Sequence, residues 1–509
     1  MLRSREITSV ELTTAVLEHI AAHEERLHAF IHLMKDSAME EARQADAEIA
    51  AGGVKGPMHG VPIALKDLYA VAGVPNMAGS KALEDNVPDE DCTVVRRFRE
   101  AGAVILGKLN TTEGAMGVHI TACTLSLTTR LRSHTDDVML QGYNEHLQPG
   151  RQLPVNPWDP EAWAGASSSG SGVATAAGFG FTTLGSDTGG SIRFPSAACG
   201  TVGIKPTWGR VSRHGVLDLA QTLDHVGPMS RCTADAAITL QVIAGPDEND
   251  PTSLPEPPLR VFTGGADWAL KLDGPLELGG RRLRIGVDAV YNTTDDPELT
   301  ASVEEATRTL AAATGGEIVA VSMPPAEKLA EFVNVWGVLC APEAVHAHTE
   351  AGTWPSRKAQ YGTWFRKWLE DGEAVTGAEY AAARILREQL CGHIAKMFSD
   401  HQLDVLVCPA MNSPPFQDLR AHQPELLLSD TDWSLRDCPW GKYTIPFDYS
   451  GQPTITLCTG LTDTAPPKPL AVQIVGRHLQ EELLCKLGHA YEGAVGRQRA
   501  PLVPPSVLG

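Results

Sequence analysis

Between Gly165 and Gly215 the chain is dominated by glycine, serine, alanine and threonine. Such a composition usually marks a flexible linker. Here apolar residues and a proline are interleaved at strand-like and helix-like spacing, which a linker has no use for. Small side chains in a folded segment let backbone and neighbouring hydroxyls approach closely, so this stretch predicts a tightly packed centre rather than a tether. The rest of the fold has to be built around it.

The flanking sequence has the rhythm of layered α/β structure. Thr8-Ser9-Val10-Glu11 fits a capping box, and Val10, Leu12, Val16, Leu17 and Ile20 follow at helical spacing. A polar, Ala-rich second helix is predicted from Asp36 to Ala51, stopping at Gly52-Gly53. Gly60 to Asp67 is a short apolar run ending in charge, which suits a buried strand. Thr93 to Ala101 reads as helix, Gly102 as its left-handed cap, and Ala103 to Leu106 as the next strand. Later strands are predicted at Leu283–Val287, Leu403–Cys408, Ile455–Leu457 and Leu470–Val475, with helices at Asp296–Ala313 and Glu481–Tyr491. No repeat is visible, and one elaborate α/β domain over 1–509 fits better than two clean ones. A softer boundary falls at Pro246–Gly280. The segment 119–153 is polar and without period, and reads either as a lid or as a surface insertion.

Composition removes several classes of function. The formal charge is −20, from 42 basic and 62 acidic residues, which argues against nucleic acid as a partner. The amino-terminal residues MLRSREITSV form no secretion signal, and no apolar run reaches the roughly 20 residues of a membrane helix. A cytoplasmic protein, monomeric or homodimeric and without a membrane partner, is the expectation. The ten cysteines are scattered with no CxxC, and there is no HExxH, so reduced thiols and the absence of a metal or other cofactor are expected.

Three elements carry candidate chemistry. Lys66 ends an apolar run, where desolvation lowers an ammonium pKa and makes a neutral amine base available near pH 7. Its plainer alternatives are pairing with Asp67 or reaching out to solvent. Gly165-Ala166-Ser167-Ser168-Ser169-Gly170-Ser171-Gly172 lacks the lysine and spacing of a phosphate loop, and a serine-rich helix cap is the alternative. In Gly185-Ser186-Asp187-Thr188-Gly189-Gly190-Ser191-Ile192-Arg193-Phe194-Pro195-Ser196, two glycines before a serine allow backbone N–H groups to converge, as an oxyanion hole requires. A helix N-cap at Ser191 is the alternative there. Asp187 and Arg193 read as scaffold.

Taken together, these segments resemble the amidase signature family. Gly165–Ser171 is similar to its GGSSGGS element, and Gly185 onward to its GSDTGGSIRxPA element. Gly60–Asp67, Gly107-Lys108-Leu109-Asn110, Gly203–Thr207, Leu223–Pro228, Gly451-Gln452-Pro453 and Val472–Arg477 extend the likeness over nearly the whole chain, with about 246–400 as a variable, substrate-side region. The resemblance implies a mixed central sheet with helices on both faces. It implies a Ser–Ser–Lys triad of nucleophile Ser191, bridging Ser167 and base Lys66, with Ser167 following a cis peptide bond. The N–H groups of Thr188, Gly189, Gly190 and Ser191 would hold the oxyanion, and the reaction would pass through an acyl-enzyme.

The sequence departs from the family pattern at Ala166 and Ser169, both commonly glycine, and its Lys66–Ser167 interval is longer by about 25 residues, enough for a lid. Trp163, Gly165 and Ala166 are the candidate substrate contacts by position. Trp336, Trp354, Tyr361, Trp364, Phe365 and Trp368 lie in the variable region, and the helical spacing of the last four favours core packing over a pocket. Rings lining the cleft would suit a bulky apolar amide, anilide or aryl carbamate. The expected function is therefore serine-dependent hydrolysis of amides, with carbamates or esters as relatives. The alternatives are the glutaminase-type component of a tRNA amidotransferase and, from another class, an anion- or nucleotide-binding protein using the Gly/Ser loops.

Overall fold

The computed structural model describes residues 1–117, 152–497 and 503–504, apart from 256–257, 265–266, 277, 417–433 and 437. Of the 119–153 segment, all but residues 152 and 153 therefore lie outside the described residues.

Eleven strands form one sheet: β1 (Phe30–Leu33), β2 (Pro62–Lys66), β3 (Val104–Leu109), β4 (Thr182–Asp187), β5 (Val202–Lys205), β6 (His225–Ser230), β7 (Arg284–Val287), β8 (Glu317–Ala320), β9 (Val405–Pro409), β10 (Thr454–Leu461) and β11 (Pro469–Gly476). Their order is β1-β3-β2-β4-β6-β5-β10-β11-β9-β7-β8. The pairs β2/β3, β2/β4, β7/β8 and β7/β9 are parallel and the others antiparallel, so the sheet is mixed. Because β7 and β8 belong to it, the Pro246–Gly280 boundary does not divide the protein in two.

Helices cover both faces, as the alternation of side chains along the strands requires. On β2, Ile63 and Leu65 enter one core with Val94, Val95 and Phe98 of the helix Thr93–Glu100 and Leu240 and Ile243 of the helix Thr233–Ile243. Ala64 enters another with Ile20, Ala38, Ala42, Val173 and Ala174, from the helices Ser9–Leu27, Lys35–Ala50 and Ser169–Ala177. On β9, Val405 and Val407 join the first core, whereas Leu406 and Cys408 join a third, built with Trp336, Phe365, Trp368 and Leu390. Among the described residues no helix is long and apolar enough to cross a membrane.

The predicted capping box is present: Thr8 Oγ1 accepts from Glu11 N at 3.0 Å, and Thr8 N donates to the Glu11 carboxylate at 2.8 Å. The helix at 93 ends with Gly102 at φ +77°. A strand the sequence hides is β6, where Gly227 and Pro228 break the β-forming pattern. Pro228 nevertheless pairs with Leu184 in the antiparallel β4/β6 ladder.

Candidate active site

Parallel β2 and β4 carry the site at their carboxyl ends, where crevices form in open α/β sheets. Lys66 ends β2 and is fully buried. Its Nζ donates to Ser167 Oγ at 2.7 Å and to Ser186 Oγ at 2.8 Å. Burial lowers its pKa to about 7, against the negative charges of Asp224 and Asp187, which favour the ammonium form. Lys66 neither pairs with Asp67 nor reaches solvent: Asp67 instead accepts from buried Lys108 Nζ at 2.9 Å. Ser186 is the residue sequence reasoning missed. It lies one residue before Asp187 in the second glycine-rich motif, yet only the β2/β4 register brings it beside the amine.

Ser167 is buried and follows a cis Ala166–Ser167 bond. Its carbonyl accepts from Thr111 Oγ1 at 3.0 Å and from Thr112 N at 3.3 Å. The hydroxyls that follow dock the segment on β4: Ser168 Oγ donates to Ser186 O at 3.3 Å, and Ser171 Oγ to Leu184 O at 2.9 Å. Gly165, an expected substrate contact, is not among the residues that line the cleft. At φ +85° its α-carbon lies against Pro195, where a Cβ would come within 2.2 Å, so this glycine packs the serine loop onto the helix Arg193–Cys199.

Ser191 is half-buried and lines the cleft. It is not a helix cap: the helix begins at Arg193, and the N–H groups of Ile192 and Arg193 donate to Asp187 Oδ2 at 3.0 and 3.2 Å. Among the described residues no hydrogen bond joins Ser167 to Ser191. Three carbonyls of the loop are held by the protein. Trp336 Nε1 donates to Thr188 O at 2.9 Å, Thr444 Oγ1 to Gly189 O at 2.5 Å, and Phe194 N to Gly190 O at 2.7 Å. In a trans peptide the N–H points opposite the preceding C=O, so the N–H groups of Gly189, Gly190 and Ser191 are turned away from those partners. Gly190 permits this at φ +139°, where a Cβ would meet the Phe194 ring at 2.3 Å.

Beneath the loop lies a buried ionic cluster. Arg193 donates to Asp187 Oδ1 at 2.8 Å and to Asp448 Oδ2 at 2.6 Å, and all three side chains are sealed from solvent. Burial opposes ionisation of Asp187, but Arg193 overrides it and holds the carboxyl well below the usual range. Burial dominates at Asp448 and pushes its carboxyl well up. Removing one partner of such a cluster strands the others, at a cost of about 3–5 kcal/mol. Arg193→Met is therefore expected to lower unfolding stability by about that amount in urea titration. A loss under about 1 kcal/mol, the scale of surface pairs, would contradict the cluster's role.

The cleft is partly open to solvent. Trp163, Phe194, Trp336 and Trp440 supply its rings, with Met116, Leu219 and Cys438 between them and Ala166, Thr188, Gly189 and Ser191 at the polar end. No charged side chain lines it among the described residues. Trp163 stacks on Phe416 at 5.0 Å and Trp336 packs edge-on to Trp440 at 5.2 Å. Tyr361, Phe365 and Trp368 are core residues, Trp364 is half-buried and packs against both that core and the cluster of Trp163 and Phe194, and Trp336 is the variable-region ring that reaches the cleft. No group of three His, Cys, Asp or Glu side chains suited to a metal occurs among the described residues.

The Amidase family model matches residues 11–485. AmiD of Mycobacterium tuberculosis, named as an amidase, is 40% identical over 511 residues, covering 99% of this chain and 94% of the relative. A glutamyl-tRNA(Gln) amidotransferase subunit of Picosynechococcus sp. is 32% identical, covering 98% of each chain. Among solved structures, 6-aminohexanoate cyclic dimer hydrolase superposes with a TM-score of 0.79 at 26% identity, over 99% of this chain and 97% of that one. The fold, the family match across almost its entire length and these relatives establish that the chain belongs to the amidase signature family, hydrolases of carbon–nitrogen bonds.

Proposed function

We propose that the protein hydrolyses amides of bulky, uncharged acyl groups through an acyl-enzyme on Ser191. Neutral Lys66 takes a proton from Ser167, which takes one from Ser191 as the Ser191 oxygen bonds to the acyl carbon. The N–H groups of Thr188 to Ser191 hold the oxyanion as it develops. Protonated Lys66, through Ser167, returns the proton to the leaving nitrogen when the C–N bond breaks. Water then repeats the sequence on the ester and releases the acid. The Ser167–Ser191 hydrogen bond forms with substrate bound, since catalytic bonds often tighten only in the complex. The observation that carries this reading is a fully buried amine 2.7 Å from Ser167 Oγ, with its pKa lowered to about 7 by that burial.

The cleft selects the substrate class. Its aromatic wall suits an aryl amide, anilide or aryl carbamate. Free glutamine, the substrate of a glutaminase-type component, brings an ammonium and a carboxylate, and burying either without a charged partner is unfavourable. Among the described residues the lining is uncharged, which argues against that role despite the likeness to a tRNA amidotransferase subunit. Anion binding by the Gly/Ser loops is the weaker reading, because it gives no role to the buried amine of Lys66 on Ser167.

The test is a panel of anilides, primary aliphatic amides, aryl carbamates and glutamine, assayed for released amine or ammonia. Aryl amides are expected to be turned over best and glutamine not at all; efficient ammonia release from glutamine by the chain alone would overturn the reading. Trp440→Ala removes one ring of the wall. Burial of an aromatic contact is worth roughly 1.5–3 kcal/mol, so kcat/KM for an anilide should fall at least about tenfold while that for a small aliphatic amide barely changes. Equal losses on both would mean that the ring holds the fold and not the substrate.

A further inference from the structure

Asp224 is buried immediately before β6, and the proton relay above does not use it. Its Oδ1 accepts from Thr188 Oγ1 at 2.5 Å. Its Oδ2 accepts from the N–H groups of Leu219 and Ala220 at 2.8 and 3.1 Å. Thr188 belongs to the loop bearing Ser191, and Thr188 and Leu219 both line the cleft. One carboxylate therefore ties the nucleophile loop to a second segment of the cleft wall. We propose that Asp224 is a positioning residue for the reaction: it fixes Thr188 and the Leu219–Ala220 turn around the substrate, and its negative charge acts on Lys66. This rests on the assignment of Lys66 as the base.

The charges around it define the test. Asp218 and Arg213 face Asp224 from its own loop, Lys66 from β2, Tyr69 from the turn after β2, and Cys340 from the helix Trp336–Glu350. Asp218 in turn senses Arg213, Asp250, Glu343 and His346. Burial and Asp218 push the Asp224 carboxyl up to about 7, while the Thr188 hydroxyl, Arg213 and the Leu219 N–H favour the anion. The anion favours the ammonium form of Lys66, so removing the charge makes the amine easier to deprotonate.

Asp224→Asn keeps the shape, and its Nδ2 can donate to Thr188. The acid limb of the kcat/KM–pH profile is expected to move to lower pH. Thr188→Val removes the hydroxyl that holds the loop to Asp224; kcat should fall about tenfold, as loss of one charge-assisted hydrogen bond implies. An unmoved limb in Asp224→Asn, or a wild-type kcat in Thr188→Val, overturns the proposal. If Asp224→Asn does not fold, Thr188→Val alone decides. Lys66→Met assayed in parallel separates the two ideas. If it is fully active, the base assignment has failed. If it is inactive while the Asp224→Asn limb stays put, only the role of Asp224 has.

Discussion

Replacing Ser191 with alanine is expected to abolish turnover, by several orders of magnitude in kcat, while leaving the protein folded. Loss of a nucleophile removes the covalent route, and the residual rate comes only from binding and oxyanion stabilisation. The fold should not notice. Ser191 is half-buried, it caps no helix, and the N–H groups of the following turn are held by Asp187 instead. Unfolding free energies of the variant and wild type should therefore agree within the usual ±0.5 kcal/mol of a surface change. Mass spectrometry supplies the direct readout. With a slowly deacylating carbamate, the wild-type chain should gain the mass of the acyl group on the peptide containing Ser191, and the variant should gain none. A variant that still turns over substrate at the wild-type rate, or that acquires the adduct elsewhere, excludes Ser191 as the nucleophile.

Much of this architecture is legible in the residues, and the limits of legibility have physical causes. The amino-terminal capping box, the buried run ending in Lys66 and the Gly102 stop are local signals, and local signals survive folding. Strand β6 is different. Its Gly227 and Pro228 oppose strand formation, and the pairing with β4 on one side and β5 on the other overrides that preference. Ser186 carries no mark that separates it from the other serines of its segment; register alone puts it on the lysine. The cleft is still less readable. Trp163, Phe194, Trp336 and Trp440 meet across separations of up to 277 residues (440 − 163), and no periodicity links them. Helical spacing correctly assigns Tyr361, Phe365 and Trp368 to the core, but it says nothing about Trp336, which heads its own helix and turns its indole to Thr188. Gly165 has a packing role that the sequence does not show. Position beside Ser167 suggests substrate contact, whereas its lack of a side chain is used against Pro195.

The second large effect concerns the amine. Lys66→Met retains the apolar stem and removes the base, so activity at neutral pH is expected to vanish and to return only in part in alkali, where hydroxide replaces the relay. In the wild type, kcat/KM should rise with pH through about 7 as the buried amine loses its proton. The same residue leaves a signature in stability, whose sign follows from the two pKa values. In the unfolded chain a lysine holds its proton to about 10.4, whereas in the folded protein Lys66 releases it near 7. Between these limits the unfolded state binds more protons, so stability rises with pH; below the lower limit both states are protonated and the full cost of a buried ammonium is present. Lys66→Met has no such group. Urea unfolding at about pH 6, 8 and 9.5 should show the wild type gaining on the variant only above about 7, by up to roughly 1.4 kcal/mol per pH unit. A constant gap across that window would mean that the folded protein keeps Lys66 charged, and a charged lysine cannot take the proton from Ser167.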